Sequence, residues 1–77
     1  MNQGITDILS SCKSLQSKGL KVSFESSFEN IKVEHRKTVS HELIAGFEIR
    51  DVENQKMILA VQFYLKALES EEVNNGK

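Results

Sequence analysis

The chain contains three side chains of the types that bind metals, Cys12, His35 and His41, and the thiol of Cys12 could also act as a nucleophile. Thiolate and imidazole are the donors that zinc and related metals prefer. The three residues are far apart and lack the short paired spacing of known metal motifs. We therefore predict no metal site, no cofactor and no catalytic residue. Cys12 is expected to behave as a small buried hydrophobe.

Carboxylates are the next candidates for chemistry, because two of them in a pocket can act as general acid and base. Those considered lie on polar strand positions or in turns: Glu25, Glu29, Glu34, Glu42, Glu48, Asp51 and Glu53. The sequence marks no pocket around them, and a chain of 77 residues offers little depth for one. We predict that they are solvated and that the protein is not an enzyme.

The one concentration of basic residues is the run His35-Arg36-Lys37, with Lys32 nearby. The candidate contacts there are Lys32, Arg36, Lys37 and His41. Such residues could contact the phosphates of a nucleic acid. Neighbouring glutamates offset them, and the net charge of −1 gives no general attraction to polyanions. Nucleic-acid binding through these four residues is therefore the alternative function.

An amphipathic helix is predicted over residues 5–15. Its apolar residues fall on one face: Ile5, Ile8, Leu9, Cys12 and Leu15. Gly19 can adopt the left-handed conformation just beyond the helix, so that Leu20 contacts Leu15 in a Schellman cap. The sequence thus gives this helix both a buried face and a defined end.

Two short strands should follow at residues 20–25 and 30–36, because apolar and polar residues alternate there. A loop between them would pair Phe24 with Ile31. The next turn is predicted at residues 36–38.

The strongest pattern covers residues 43–65, which predict a long β-hairpin. The odd-numbered apolar positions would share the face that packs under the helix: Leu43, Ala45, Phe47, Ile49, Leu59, Val61, Phe63 and Leu65. A three-residue loop at 53–55 would set this register, since a shift by one residue would separate the two apolar sets. The predicted fold is α+β, with an N-terminal helix on a four-stranded antiparallel meander.

A competing interpretation makes residues 54–72 a helix, which gives an αβββα fold. Its apolar residues also fit helical spacing: Met57, Val61, Tyr64, Leu65 and Leu68. Even in the hairpin interpretation, residues 66–72 can turn helical.

The hairpin predicts a partly apolar rear face that one helix cannot cover. Its apolar contacts would be Ile44, Ile58, Ala60 and Tyr64, with Arg50 and Gln62 as polar ones. Such a face is typical of an interaction surface, so we expect a homodimer or larger assembly that also binds another protein. Ile58→Glu should then dissociate the oligomer without unfolding it.

Composition supports a single domain over residues 1–77, with residues 73–77 frayed. Charged residues make up 27% and hydrophobic residues 39%, which is ordinary for a soluble chain and predicts no membrane partner. One cysteine and an N-terminus without signal-peptide features favour the cytoplasm. The sequence therefore predicts a small non-enzymatic interaction module, acting as an adaptor, inhibitor or regulator.

Overall fold

Over residues 3–75, the chain folds into two helices and three strands. In sequence order they are α1 (Gln3–Ser17), β1 (Lys21–Ser26), β2 (Ile31–Arg36), β3 (Leu43–Ile49) and α2 (Gln55–Asn75). This computed structural model describes the backbone of residues 3–75 and side chains as far as residue 71. The prediction of fraying concerns residues 73–77. The structure describes residues 73–75 as the end of α2, and residues 76 and 77 lie outside the described part.

The three strands form one antiparallel sheet in the order β1-β2-β3. Helix α1 packs on β1, α2 packs on β3, and the two helices pack on each other, so both cover the same face of the sheet. Strands β1 and β3 point the same way because each is antiparallel to β2. Each helix joins its strand through a short turn and runs back along it. Helices α1 and α2 therefore run in the same direction.

Helix α1 ends in the predicted Schellman cap. Gly19 has a φ of 93°, the left-handed region that glycine adopts without steric cost. The Leu20 N–H donates to the Leu15 carbonyl at 3.2 Å, and the Gly19 N–H donates to the Gln16 carbonyl at 3.0 Å. These two bonds define the motif, and they confirm the predicted end of the helix.

Strands β1 and β2 are confirmed, but their predicted register is wrong by two residues. Phe24 pairs with Val33, and Ser26 pairs with Ile31. The loop is tighter than predicted because Ser27 closes it: its N–H donates to the Asn30 carbonyl at 2.8 Å. The turn therefore has only two residues at its tip, and Ser26 stays in the strand.

The prediction of a fourth strand is wrong, and the alternative αβββα arrangement fits better. Strand β3 forms where expected, but the structure describes residues 55–75 as the helix α2. Ile58, Val61 and Leu65 are 1%, 0% and 0% exposed, respectively. Spacings of three and four residues put them on one helical face, which buries them together against α1 and the sheet.

Asn54 determines where α2 begins. Its Oδ1 accepts a hydrogen bond from the Met57 N–H at 3.2 Å, the geometry of an N-cap. Asp51 stabilises the turn that precedes α2, because its Oδ1 accepts a hydrogen bond from the Glu53 N–H at 2.9 Å. The polar run that resembled a hairpin loop is a turn that leads into a capped helix.

The core lies between the helix layer and the inner face of the sheet. It is built from apolar side chains of all five elements: Ile5, Ile8, Cys12, Leu15, Val22, Ile31, Val33, Ile49, Ile58, Val61 and Leu65. The outer face of the sheet carries charged side chains, as the alternation along β1 and β2 predicted.

Candidate functional site

The structure does not bring the six predicted interface residues together, because the hairpin face that joined them does not form. Ile58 is 1% exposed and belongs to the core. Arg50 is exposed just after β3, where its Nε donates to Glu48 at 3.1 Å. Ile44 is 50% exposed, at a bulge where β3 has one more residue than β2. Ala60 is exposed on α2.

Tyr64 is half-buried and joins α2 to the sheet. Its hydroxyl is hydrogen-bonded to Nδ1 of His35 on β2 at 2.7 Å, and its ring lies 5.2 Å from that of Phe47. Burial raises the pKa of Tyr64, and the nearby Glu71 carboxylate raises it further. The phenol therefore keeps its proton at neutral pH. These contacts make Tyr64 a tie between two layers.

The basic residues on β2 are interleaved with acidic ones. Lys32 lies opposite Glu25 on β1 and opposite Glu48 on β3 in the register of the sheet. Arg36 forms an ion pair with Glu34 at 3.3 Å. Opposite charges therefore alternate across this part of the outer face, whereas nucleic-acid binders concentrate positive charge.

Lys37 and His41 lie in the loop that follows β2. Arg36 Nη1 donates to the His41 carbonyl at 3.1 Å, and the His41 N–H donates to the Lys37 carbonyl at 3.1 Å. His41 has a φ of 65°. Arg36, Lys37 and His41 thus share one end of the sheet, whereas Lys32 lies near the start of β2, toward the other end. The contacts of Arg36 and His41 fold the loop on itself.

An open groove of about 620 Å³ runs between α1 and α2, on the side away from the sheet. The α1 wall is made mainly of small side chains, Ser10, Ser11 and Ser14. The apolar residues of the groove lie on the α2 wall: Leu59 is 49% exposed and Phe63 is 72% exposed. We call this surface the helix groove.

Charged and polar residues border the helix groove. Asp7 on α1 and both Lys66 and Glu69 on α2 contribute to its lining. Gln62 lies in the same groove, where its Nε2 donates to the Gly4 carbonyl at 3.4 Å and ties the two helices together. The combination of an apolar centre with a polar rim is the usual anatomy of a protein interface.

Sequence reasoning missed the helix groove because strand parity placed Leu59 and Phe63 inside the core. In a helix, residues four apart share a face, and these two lie on a different face from Ile58, Val61 and Leu65. Helix α2 therefore carries two apolar stripes, one buried and one open. The sequence did contain a signal for the second stripe, because α2 has more apolar residues than one buried helical face needs.

Cys12 is fully buried, with 0% exposure, as predicted. Desolvation by this burial raises the pKa of its thiol to about 11. The thiol is therefore protonated and shielded, which are poor conditions for a nucleophile. Among the residues with described side chains, no group of three or more His, Cys, Asp or Glu could hold a metal ion.

The raised pKa of Cys12 predicts a loss of stability in alkali. The folded thiol keeps its proton up to about 11, whereas the unfolded thiol loses it near 9.0. The contribution of the Cys12 thiol to the free energy of unfolding is therefore complete below pH 9.0 and is lost as the pH rises to about 11. The loss should be on the order of 2 kcal/mol.

Urea denaturation at neutral pH and at a pH of about 10 should show about half of this loss, on the order of 1 kcal/mol, because the unfolded thiol is mostly ionised there and the folded thiol is not. Cys12→Ala is the control, because it removes the titrating group and should show a smaller change between the two conditions. Equal changes in wild type and control would contradict the prediction. Native protein should also resist alkylation that modifies the thiol readily in denaturant.

The chain matches no protein-family model, and neither curated proteins nor solved structures include a significant match to it. In the region that the structure describes, neither helix combines the length and the apolar character needed to cross a membrane.

Proposed function

We propose that this protein is a small non-enzymatic interaction module that binds a protein partner through the helix groove. The observation that carries the proposal is the exposure of Phe63, 72%, beside Leu59, 49%, on a helix that already buries a separate apolar stripe. An apolar cluster of this kind, rimmed by polar residues, is typical of an interaction site.

The energetics support a protein partner. Burying a phenylalanine side chain contributes about 1.5–3 kcal/mol, and aromatic anchors near the centre of an interface dominate its binding energy. The serines of α1 allow a partner to approach closely, because their side chains are short. Asp7 and Lys66 can then select the partner by charge.

Nucleic acid is the less favoured partner. Lys32 and Arg36 stand among carboxylates, and Lys37 and His41 lie in a folded loop beside them. We propose a cytoplasmic location, which suits a protein whose one cysteine is a buried thiol. An adaptor, inhibitor or regulator is the class of role that fits a binding surface of this kind.

Copurification from a lysate of cells that natively express the protein tests the proposal. Tagged wild type should retain a protein partner, and the double variant Leu59→Ser/Phe63→Ser should lose it. Phe28→Ser is the matched control, because Phe28 is fully exposed and lies outside the helix groove. The same partner should bind this control as it binds wild type.

Two results would contradict the proposal. One is a partner that binds wild type and the Leu59→Ser/Phe63→Ser variant equally. The other is tight, salt-sensitive binding of DNA or RNA that disappears in a Lys32→Ala/Arg36→Ala/Lys37→Ala variant. The second result would move the function to the basic alternative.

A further inference from the structure

The sheet has two edge strands, and the β1 edge is protected against pairing with a further strand. Gln16 Nε2 donates to the Val22 carbonyl at 2.5 Å, so a side chain of α1 covers part of this edge. Lys21 and Glu25 place opposite charges along the same strand. Covering groups and charged side chains are devices that keep an edge strand from pairing. The β1 edge is therefore a poor site for a partner strand.

The β3 edge is apolar where β3 begins. The segment Leu43–Phe47 contains no charged residue, and Leu43 and Ile44 are 52% and 50% exposed. On the outer face of the sheet, the Leu43 side chain lies beside Gly46. On the inner face, Phe47 is half-buried and its ring lies 5.2 Å from that of Tyr64. Apolar side chains therefore flank this edge on both faces of the sheet.

The backbone of β3 presents hydrogen-bonding groups along this edge. In an antiparallel pair, residues that bond to the neighbouring strand alternate with residues whose groups point away from it. The bond from the Ser27 N–H to the Asn30 carbonyl sets this alternation, and it directs Phe47 toward β2. The N–H and C=O of Gly46 and Glu48 therefore point outward, where no backbone group of residues 3–75 bonds to them. An extended strand is the partner that satisfies such a row of groups.

We propose that β3 pairs with β3 of a second copy of this chain, in an antiparallel arrangement that continues the sheet. The two-fold axis passes beside Phe47, which is the centre of residues 45–49, the regular part of β3 beyond its bulge. Gly46 of each copy then exchanges two backbone hydrogen bonds with Glu48 of the other copy. Such an interface is closed, because both copies use the same edge.

The side chains on both faces fit this register. On the inner face, Phe47 meets Phe47 of the second copy at a position where side chains approach closely, and aromatic cross-strand pairs stabilise sheets. On the outer face, Glu48 lies opposite Gly46 of the second copy, which has no side chain. Glu48 can therefore keep its ion pair with Arg50 at 3.1 Å, and no like charge stands directly opposite it. The charges of this edge are thus compatible with pairing to a second copy.

Sedimentation velocity over a concentration series tests the inference. Wild type should pass from monomer to dimer as the concentration rises. Gly46→Pro should weaken the dimer at least about 100-fold, because the proline ring replaces the outward N–H and blocks the edge without removing a bond to β2. The φ of Gly46 is not positive, so the backbone can accept this residue.

Gly46→Ala is the matched control. Its Cβ would meet the Leu43 side chain at 3.7 Å, which is an ordinary van der Waals contact, and it keeps the outward N–H. This control should dimerise as wild type does. Phe63→Asp, in the helix groove, should also leave the dimer unchanged. Circular dichroism verifies that each variant is folded.

Amide hydrogen exchange measured by NMR tests the register in the wild type itself. The Gly46 and Glu48 amides should exchange rapidly in dilute protein and become protected in concentrated protein, because they form hydrogen bonds only in the dimer. The Phe47 amide should be protected at both concentrations, since Phe47 bonds to β2 within one copy.

A wild type that stays monomeric at millimolar concentration would overturn the inference. A dimer whose Gly46 and Glu48 amides stay unprotected would also overturn it, as would a folded Gly46→Pro variant that dimerises as wild type does. These results would not decide the proposed function, because the β3 edge lies outside the helix groove. The copurification comparison still measures whether Leu59 and Phe63 hold a protein partner.

Discussion

Ile58→Glu should unfold the protein. Ile58 is 1% exposed in the core, so a glutamate there would be desolvated with no cation to pair it. An uncompensated buried charge costs about 3–5 kcal/mol, and a domain of this size has little more stability than that. Far-UV circular dichroism and thermal denaturation measure the loss of structure.

Leu59→Glu is the matched control for this experiment. Leu59 is the next residue along α2, but it is 49% exposed and outside the core. The control should remain folded, with a melting temperature close to that of wild type. If Ile58→Glu stayed as stable as Leu59→Glu, the helical placement of these residues would be wrong. The rear-face hypothesis would then regain its support, because it expects Ile58→Glu only to dissociate an oligomer.

Leu65→Ala should destabilise the fold by about 2–5 kcal/mol, the usual cost of deleting a buried leucine side chain. Leu65 is 0% exposed and lies one helical turn beyond Val61 on the buried stripe of α2. Urea denaturation of the variant gives the change in the free energy of unfolding.

Phe63→Ala is the comparison, because the hairpin interpretation makes Phe63 and Leu65 equal members of the core. With Phe63 at 72% exposure, its truncation should change the unfolding free energy by less than about 0.5 kcal/mol. The measurement is made at low concentration, so that self-association does not contribute. Similar losses for the two variants would contradict the structure.

The elements that the sequence predicted correctly are those with strong local signals. Helix α1 combines one apolar stripe with Gly19, whose left-handed conformation ends it. Strands β1 and β2 alternate apolar and polar residues, and β3 carries the apolar alternation expected of residues 43–49. These patterns depend on neighbours a few residues away. The β1–β2 register depended on one detail, the bond that Ser27 makes to Asn30, which alternation does not specify.

Helix α2 could not be separated from a strand by its pattern, because residues such as Val61 and Leu65 fit both spacings. Tertiary structure decides whether this segment is a helix or a strand. A three-stranded sheet with α1 over β1 leaves the inner side of β3 uncovered, and α2 covers it. Asn54 was equally ambiguous, since asparagine favours both turns and helix N-caps.

The predicted interface was wrong for the same reason, because it rested on the strand interpretation of α2. Strand parity placed Phe63 and Leu59 under α1 and placed Ile58 on the rear surface. The helix reverses both placements, and the exposed apolar surface moves from the back of the sheet to the helix layer. The excess of apolar residues therefore predicts an exposed apolar surface, while its position requires the correct secondary structure.

Hydroxyl-radical footprinting is the most direct test that α2 buries one apolar stripe and exposes the other. We predict that Ile58 and Leu65 are protected, while Phe63 and Phe28 are both readily modified in dilute protein. Protection of Phe63 in dilute protein, or modification of Ile58 and Leu65, would contradict this account.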